Sequence, residues 1–405
     1  VRVLMLSSLW PPHTLGGAER YAASLAARLR DAGHEVGALT FGVHGTDVVA
    51  TVTPWPYRLD AFDSQSRPRR LVFHALDLWR PGVARVLRGT LRDFAPDVVH
   101  SHSVQGLSAV ALAEPARHGV GHVHTLHDYW LLCQRASLMR ADGARCERRC
   151  RTCVLVGAWR GLQLRRHHPH VVLAVSGAVA ARHRALGWIQ GRIRVVHNPV
   201  AAPAVPPATP SSQVGTGPRF VYLGRLDVHK GVSVLLEAFR AAAIPEATLR
   251  LAGTGPLAAT LRAAARDLVG VEWCGALDEP ARDALLADAD CVVVPSRWED
   301  PAPLVVNEAR AAGVAVIGTR VGGIPELVPE AQQALLVPPD DPVALAGAMR
   351  AFAADPLRYR EPPDQAPPGW PDHLEAVLGA YRDAAAQACS GVAAPARPGG
   401  SGHAR

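Results

Sequence analysis

Twelve short apolar runs alternate with stretches of helical period along this chain, and that alternation limits what it can fold into. Residues 2–6, 35–41, 97–100, 122–126, 171–175 and 192–197 form one set; residues 220–223, 249–252, 271–274, 291–294, 314–317 and 334–337 form another. Between the first two runs, residues 19–30 put Tyr21, Leu25 and Leu29 on one helix face, and Gly33 is placed to close that helix. Strands separated by helices are parallel, because each crossover returns the chain to the same edge, and such sheets are covered on both faces. The restart of the pattern near residue 219 makes two α/β units.

Proline marks the joints. Residues 199–218 hold six Pro and little that can be buried, which reads as an interdomain linker. Residues 361–371 hold five more, an amphipathic stretch follows at 372–387, and the Ala, Pro, Gly and Ser tail is expected to be disordered. The expected organisation is an N-terminal Rossmann-like, doubly wound domain (1–198) with a Cys- and Arg-rich excursion (129–170), the linker (199–218), and a C-terminal Rossmann-like domain (219–360). A Pro-rich segment with a helix (361–389) and the tail (390–405) complete it. Ligands of doubly wound sheets sit outside the strands' carboxyl ends, so two such domains face each other across a cleft. No run reaches the ~18 apolar residues of a membrane helix. The chain opens on a strand rather than on a charged and then apolar leader. The expectation is a cytoplasmic protein, neither secreted nor integral to a membrane, with peripheral contact at the inner face of the membrane as an added option.

Charge divides along the same joint. Residues 1–200 carry 26 Arg against 13 acids, and residues 201–405 carry 17 basic groups against 23 acids. Part of the excess lies in 135–166, with nine Arg against Asp142 and Glu147, and part in the Arg residues between Arg58 and Arg92; Trp79 and Trp159 lie among them. An anionic acceptor or an anionic membrane surface would answer such a half, and so would a plain solvated face. Nucleic acid is not expected as a partner, since no recognised binding motif and little aromatic interleaving accompany the arginines.

Chemistry-bearing residues follow the apolar runs, where the strands' carboxyl ends would be. Ser7-Ser8 lead to Gly16-Gly17-Ala18-Glu19 at a helix start, where backbone N–H groups and the helix dipole favour an anion. The second unit opens with Gly224-Arg225-Leu226-Asp227-Val228-His229-Lys230-Gly231. Arg225 can fork two phosphate oxygens, and Lys230, the only lysine of the chain, acts as a point charge. Gly253-Thr254-Gly255-Pro256 makes another turn able to face an anion or a ribose. Next, a strand runs into a Pro-broken loop carrying Asp300 and then into a helix carrying Glu308, so both carboxylates can point into a cleft and accept from sugar hydroxyls. Gly322-Gly323-Ile324-Pro325-Glu326 adds a Gly pair able to pass beneath a ligand. The bland alternative at each place is an ordinary βα turn or a solvated cation.

In this order, Gly16-Gly17-Ala18-Glu19, His127-Asp128, Gly224-Arg225 with Lys230-Gly231, Gly253 with Gly255-Pro256, the acid pair and Gly322-Gly323 with Glu326 resemble the retaining glycosyltransferases of family 4 (group 1). The resemblance implies the GT-B fold and transfer of a hexose from a UDP- or GDP-linked sugar to an acceptor hydroxyl. No metal is expected for catalysis, because Arg225 and Lys230 can neutralise the leaving group and the Asp-x-Asp at 288–290 lies away from it. The acceptor would be a glycan, a lipid-linked molecule or a small molecule. Arg225 and Lys230 would hold the diphosphate, Glu308 the ribose and Asp300 the sugar hydroxyls. Gly16, Gly17, Gly253, Gly255, Pro301, Ala302, Leu304 and Val305 would line the donor site. His127 would stand by the anomeric carbon, with Glu19, His102 and Asp128 beside it on the acceptor side. The catalytic set is then His127, Asp300, Arg225 and Lys230. Position 300 more often holds Glu in the family, and Glu299 competes from one residue too far. A nucleotide-sugar epimerase or a phosphorylase on the same scaffold is the nearest rival, and a basic nucleic-acid- or membrane-surface-binding protein is the rival of another class.

Three further groupings call for a reading. Cys133, Cys146, Cys150 and Cys153, spaced C-x12-C-x3-C-x2-C, are either a structural zinc site pinning a coreless excursion or four separate thiols. Six histidines lie between His100 and His127; they can bond sugars in the cleft, fill the interior, or hold a metal through His100 and His102. Asp288-Ala289-Asp290 looks like a metal-binding Asp-x-Asp, but it precedes its strand and so belongs at the edge away from ligands.

Overall fold

The structure is a computed structural model that describes residues 1–42, 44–140, 142–186, 189, 191–201, 217–359 and 367–391. Most of the expected linker, part of the second Pro-rich segment and the expected tail lie outside the described residues.

Two parallel sheets organise the chain. The first contains β1 (Arg2–Ser7), β2 (Glu35–Phe41), β3 (Val48–Val52), β4 (Val98–Ser101), β5 (Gly121–Leu126), β6 (Val171–Ala174) and β7 (Ile193–Val195), in the order β3-β2-β1-β4-β5-β6-β7. The second contains β8 (Arg219–Leu223), β9 (Thr248–Ala252), β10 (Val271–Gly275), β11 (Cys291–Val294), β12 (Ala315–Thr319) and β13 (Leu336–Val337), in the order β10-β9-β8-β11-β12-β13. Each of the twelve expected runs holds one strand. The thirteenth, β3, escapes the pattern because it is an edge strand, mostly half-exposed and paired only to β2, so it needs no continuous apolar run.

The crossovers of the first domain are α1 (Gly17–Asp31), α2 (Arg67–Leu78), α3 (Pro81–Phe94), α4 (Val110–Arg117), α5 (Arg151–Leu164) and α6 (Gly177–His183). Those of the second are α7 (Val232–Ala242), α8 (Ala258–Ala264), α9 (Glu279–Ala287), α10 (Leu304–Ala311), the single turn α11 (Ile324–Leu327) and α12 (Pro342–Ala354). The chain ends its described part in α13 (Trp370–Gly391). Alternation along β1 feeds both faces of its sheet: Leu4 and Leu6 pack with Phe73 and Leu87, while Val3 and Met5 pack with Tyr21 and Leu25 of α1.

Two features depart from the sequence expectation. First, α13 returns to the N-terminal domain, where Val377, Ala380, Tyr381 and Ala384 complete the core beside α1. It passes so close that a Cβ on Gly121 would lie 2.9 Å from the Ala385 backbone nitrogen. Second, the excursion is not coreless. Tyr129, Trp130, Leu131, Leu132, Cys133 and Leu138 are buried in the first-domain core. The Arg160 and Asp77 side chains, each 1% exposed, form an ion pair at 2.9 Å. The carboxylate side of that pair is well supplied with donors: Asp77 also accepts from Trp130 Nε1 at 2.7 Å and from the Gly106 backbone at 2.6 Å.

Gly121→Val should destabilise the first domain by about 1–3 kcal/mol, the usual cost of overpacking. Urea unfolding measures it; a midpoint equal to that of the parent protein would show that α13 does not seat on β5 as described.

Candidate active site

In both sheets the strand order reverses beside the first strand of the domain, between β1 and β4 and between β8 and β11, and crevices at those points receive ligands. Ser8 ties the two first-domain loops together: its hydroxyl donates to the Ser103 and Gln105 carbonyls at 2.9 and 2.5 Å. Glu19 is spent at least in part on its own helix, accepting from the Gly16 backbone at 2.9 Å as a cap. Gly17 faces the other domain, since a Cβ there would lie 3.0 Å from the Leu304 side chain at the start of α10.

Behind this loop lies a cluster of neutral imidazoles. His102 Nδ1 and His127 Nε2 are 3.2 Å apart, and the Tyr21 ring packs 5.0 Å from His127. Tyr21 Oη bonds His373 Nε2 at 2.7 Å, and Tyr381 Oη bonds His100 Nδ1 at 2.8 Å, so α13 supplies two of the supports. Burial, and then the neighbouring imidazoles, push His127 down to about 3. Asp128 beside it goes the other way: burial raises its carboxyl to about 6, although it accepts from the Trp130 backbone at 2.7 Å. His127 therefore stands in this cluster as a neutral ring, bonded to His102.

The second domain brings Lys230 and Asp300 together at 2.5 Å. Asp300 also accepts from Ser296 Oγ and Trp298 Nε1, both at 3.2 Å, and its side chain is 5% exposed. Asp227 caps the turn that carries Lys230, accepting from the Lys230 backbone at 3.1 Å and pairing with Arg225 Nε at 3.3 Å. Burial alone would raise the Asp227 carboxyl, but His229, Lys230 and Arg225 hold it below its ordinary value. Gly231, at φ 70°, is required here, because a Cβ would lie 2.0 Å from the Pro295 carbonyl oxygen. Gly253 and Gly255 prove to be packing positions too. A Cβ on either would overlap the backbone of the Gly224–Leu226 turn, so their smallness lets the loop after β9 press against the cation loop.

A clasp joins the domains. The Glu326 carboxylate accepts from the Gly177 and Ala178 backbones, both at 2.6 Å, and Ser176 Oγ donates to the Pro301 carbonyl at 2.6 Å. Arg182 pairs with Glu299, while Asp300 faces Lys230. Trp298 and Ala302 pack against the core of the first domain. Ser176 and Arg182 were not singled out from the sequence; the only signal is a Ser-Gly pair directly after β6.

Other expected residues do not converge. Glu308 pairs with Arg282 at 3.5 Å and lines an interdomain cavity of about 190 Å³ with Arg20, Leu304 and Trp370; Lys230 and Asp300 are not among its lining residues. Val305 packs beside the core under β11 and β12. Among the described residues no group of three or more His, Cys, Asp or Glu side chains is placed to hold a metal ion. Cys133, Cys146, Cys150 and Cys153 form no disulfide; Cys133 is buried and Cys150 exposed, and the Arg160–Asp77 pair anchors the excursion to α2. His100 and His102 belong to no such group among the described residues. Asp288 and Asp290 lie at the amino edge of β11, both paired with Arg219.

Comparison with known proteins follows this geometry. The family model for glycosyltransferase family 4 matches residues 15–202, and that for glycosyl transferases group 1 matches residues 217–355. The chain is 29% identical to the glycogen synthase of Mycobacterium tuberculosis over 377 residues, 88% of this chain and 87% of the relative. Sucrose-phosphate synthase from Thermosynechococcus elongatus superposes with a TM-score of 0.71 at 23% identity, covering 95% of this chain and 99% of that one. Anabaena HepE in complex with UDP-glucose superposes with a TM-score of 0.63 at 18% identity, covering 96% and 99%. Among the described residues no helix is long and apolar enough to cross a membrane.

Burial pushes the imidazoles of His100, His102, His122, His124, His183 and His373 below their ordinary value, His183 and His373 to about 4 and His124 to about 3. The unfolded chain takes up protons at these groups below pH ~6.5, and the folded chain does not. Stability should therefore fall as pH drops below that value, by up to about 1.4 kcal/mol per pH unit for each histidine. Asp128, with its raised carboxyl, contributes the opposite sign, and six groups outweigh one. Urea midpoints compared at neutral pH and near pH 5 test this; a flat profile would contradict it.

Proposed function

Because the chain belongs to the family 4, group 1 glycosyltransferases, we propose that it moves a hexose from a nucleoside-diphosphate sugar to an acceptor hydroxyl. The anomeric configuration is retained, and no divalent metal takes part in the transfer step. The observation that carries this reading is the Lys230–Asp300 pair, held at the strand-order reversal of the second sheet with Arg225 beside it. In the free protein Asp300 neutralises Lys230. A diphosphate entering the crevice offers Lys230 a second anion, and Asp300 is then released to accept from hydroxyls of the sugar.

The chemistry follows from charge. The bond between the anomeric carbon and the diphosphate oxygen breaks with its electron pair on the leaving group, so negative charge grows there. Arg225 and Lys230 stabilise that charge without a metal. The acceptor oxygen bonds to the anomeric carbon on the face the diphosphate leaves, and its proton passes to a departing phosphate oxygen. His127, kept neutral by burial, positions the sugar by hydrogen bonding and does not deliver a proton. Glu308, one turn into α10, takes the ribose, and its ion pair with Arg282 sets its orientation. Anabaena HepE is described in complex with UDP-glucose, which makes UDP-sugars the first donors to assay.

Transfer should continue in excess EDTA. Activity that disappears and returns only with added Mg²⁺ or Mn²⁺ would overturn the metal-free step. Activity that requires inorganic phosphate and no nucleotide would move the protein to the phosphorylases. Lys230→Met should cost about 2–4 kcal/mol in the transition state, by analogy with lost oxyanion donors.

Two substitutions separate the remaining roles. Glu308→Ala should weaken donor binding with little effect on folding, whereas His127→Ala should lower kcat at nearly normal donor affinity. Steady-state kinetics with calorimetric donor binding distinguish them. Unchanged nucleotide affinity in Glu308→Ala, or lost affinity with normal kcat in His127→Ala, would reverse the assignments.

A further inference from the structure

Fifteen large apolar side chains stand exposed among the described residues, and eight of them lie on three segments of the first domain. They are Trp55, then Leu71, Val72 and Trp79 on and just after α2, then Val154, Leu155, Trp159 and Leu162 on α5. Scattered apolar residues on a surface need no explanation, but a concentration of this kind does. The segments are neighbours. Trp159 Nε1 and Gln163 Nε2 each donate to the Leu78 carbonyl at 3.0 Å, and Arg69 donates to the Pro56 carbonyl at 2.8 Å. The buried Arg160–Asp77 pair pins α5 to α2.

α5 shows the anomaly most clearly. Its inner side buries Val156 and Leu164, as a packed helix should. Its outer side presents Leu155 at 71% and Leu162 at 61% exposure to solvent. A helix that is apolar all round is normally covered all round. Exposed arginines frame this face: Arg148, Arg149 and Arg151 at the start of α5, Arg165 and Arg166 just past its end, and Arg67 and Arg69 at the start of α2. A groove of about 550 Å³ runs along α5 between Arg149 and Arg165, lined by Gly157, Ala158 and Gly161.

We propose that this face docks on an anionic lipid bilayer. Leu155, Leu162 and the exposed Trp side chains enter the boundary between headgroups and acyl chains, and the arginine rim takes the lipid phosphates. The charge pattern selects this occupant. A second copy, related by a two-fold axis, would set one arginine rim against another. Nucleic acid would satisfy the arginines but leave Leu155 and Leu162 without an apolar partner. Three exposed Trp beside aliphatic residues suit the interfacial zone of a membrane. No residue of the cleft takes part, so the proposal stands or falls separately from the glycosyl-transfer reading.

Flotation of the full chain with vesicles tests it, using phosphatidylcholine alone and with about 30% phosphatidylglycerol, at low and raised salt. Binding to the anionic vesicles should exceed binding to the neutral ones at least tenfold, on the order expected for several arginines, and should fall as salt rises. L155D/L162D should lose most of it at an unchanged melting temperature and unchanged nucleotide binding. R165A/R166A should weaken it roughly fivefold for each arginine removed. No binding to anionic vesicles at low salt, or full binding by L155D/L162D, would overturn the proposal. A concentration-dependent dimer in sedimentation that L155D/L162D abolishes would also overturn it, by assigning the face to a second copy.

Discussion

The Glu326 carboxylate, accepting two backbone N–H bonds at the start of α6, is the contact on which the cleft depends. Charge-assisted bonds of this kind are short and directional, and here they cross from one domain to the other. Gly322 and Gly323, just before Glu326, lie so close to the Asp300 and Pro301 backbones that any side chain would overlap them. The loop bearing Asp300 is thus held between Glu326's own turn and Ser176 of the first domain. Arg182 and Glu299 add a third contact, but Arg182 is half-exposed, so solvent screens much of its contribution. Position matters more than strength: the clasp sets where the Asp300 loop lies against the first domain.

The first domain supports its half of the cleft differently. Its sheet carries a row of buried imidazoles bonded to hydroxyls rather than to acids: His100 to Thr125 and Tyr381, and Ser101 to both His122 and His124. Kept neutral, these rings cost less to bury than ion pairs would, and their hydrogen bonds fix rotamers that aliphatic side chains would leave looser. His127, after β5, joins the set through His102. The network also ties α13 to the first domain, since Tyr381 bonds His100, and His373 of the same helix bonds Tyr21 and the His197 carbonyl.

Much of this was legible in the sequence. Runs of β-branched residues announce buried parallel strands whatever surrounds them, so both sheets and the cleft between them could be read directly. The cation loop and the acidic loop could be read because charged residues directly after a buried strand stand out. What could not be read depends on the third dimension. No local signal says that α13 crosses back over β5, and only a missing Cβ at Gly121 records it. That Gly253 and Gly255 press against the cation loop could not be read either, because the contact joins two loops far apart in sequence. Cys133 and Cys150 are close in sequence but differ in environment, one under the core and one at the surface, and spacing alone cannot show that.

The central claim is that Lys230, released from Asp300, receives the diphosphate of a nucleotide. A thermal-shift series with UDP, GDP and ADP, on the parent protein and on Lys230→Met, tests it most directly. The account predicts that at least one nucleoside diphosphate raises the melting temperature of the parent protein, by an amount that grows with ligand concentration. It predicts that the same nucleotide has little effect on Lys230→Met. No shift with any of the three, or an equal shift in the variant, would contradict it.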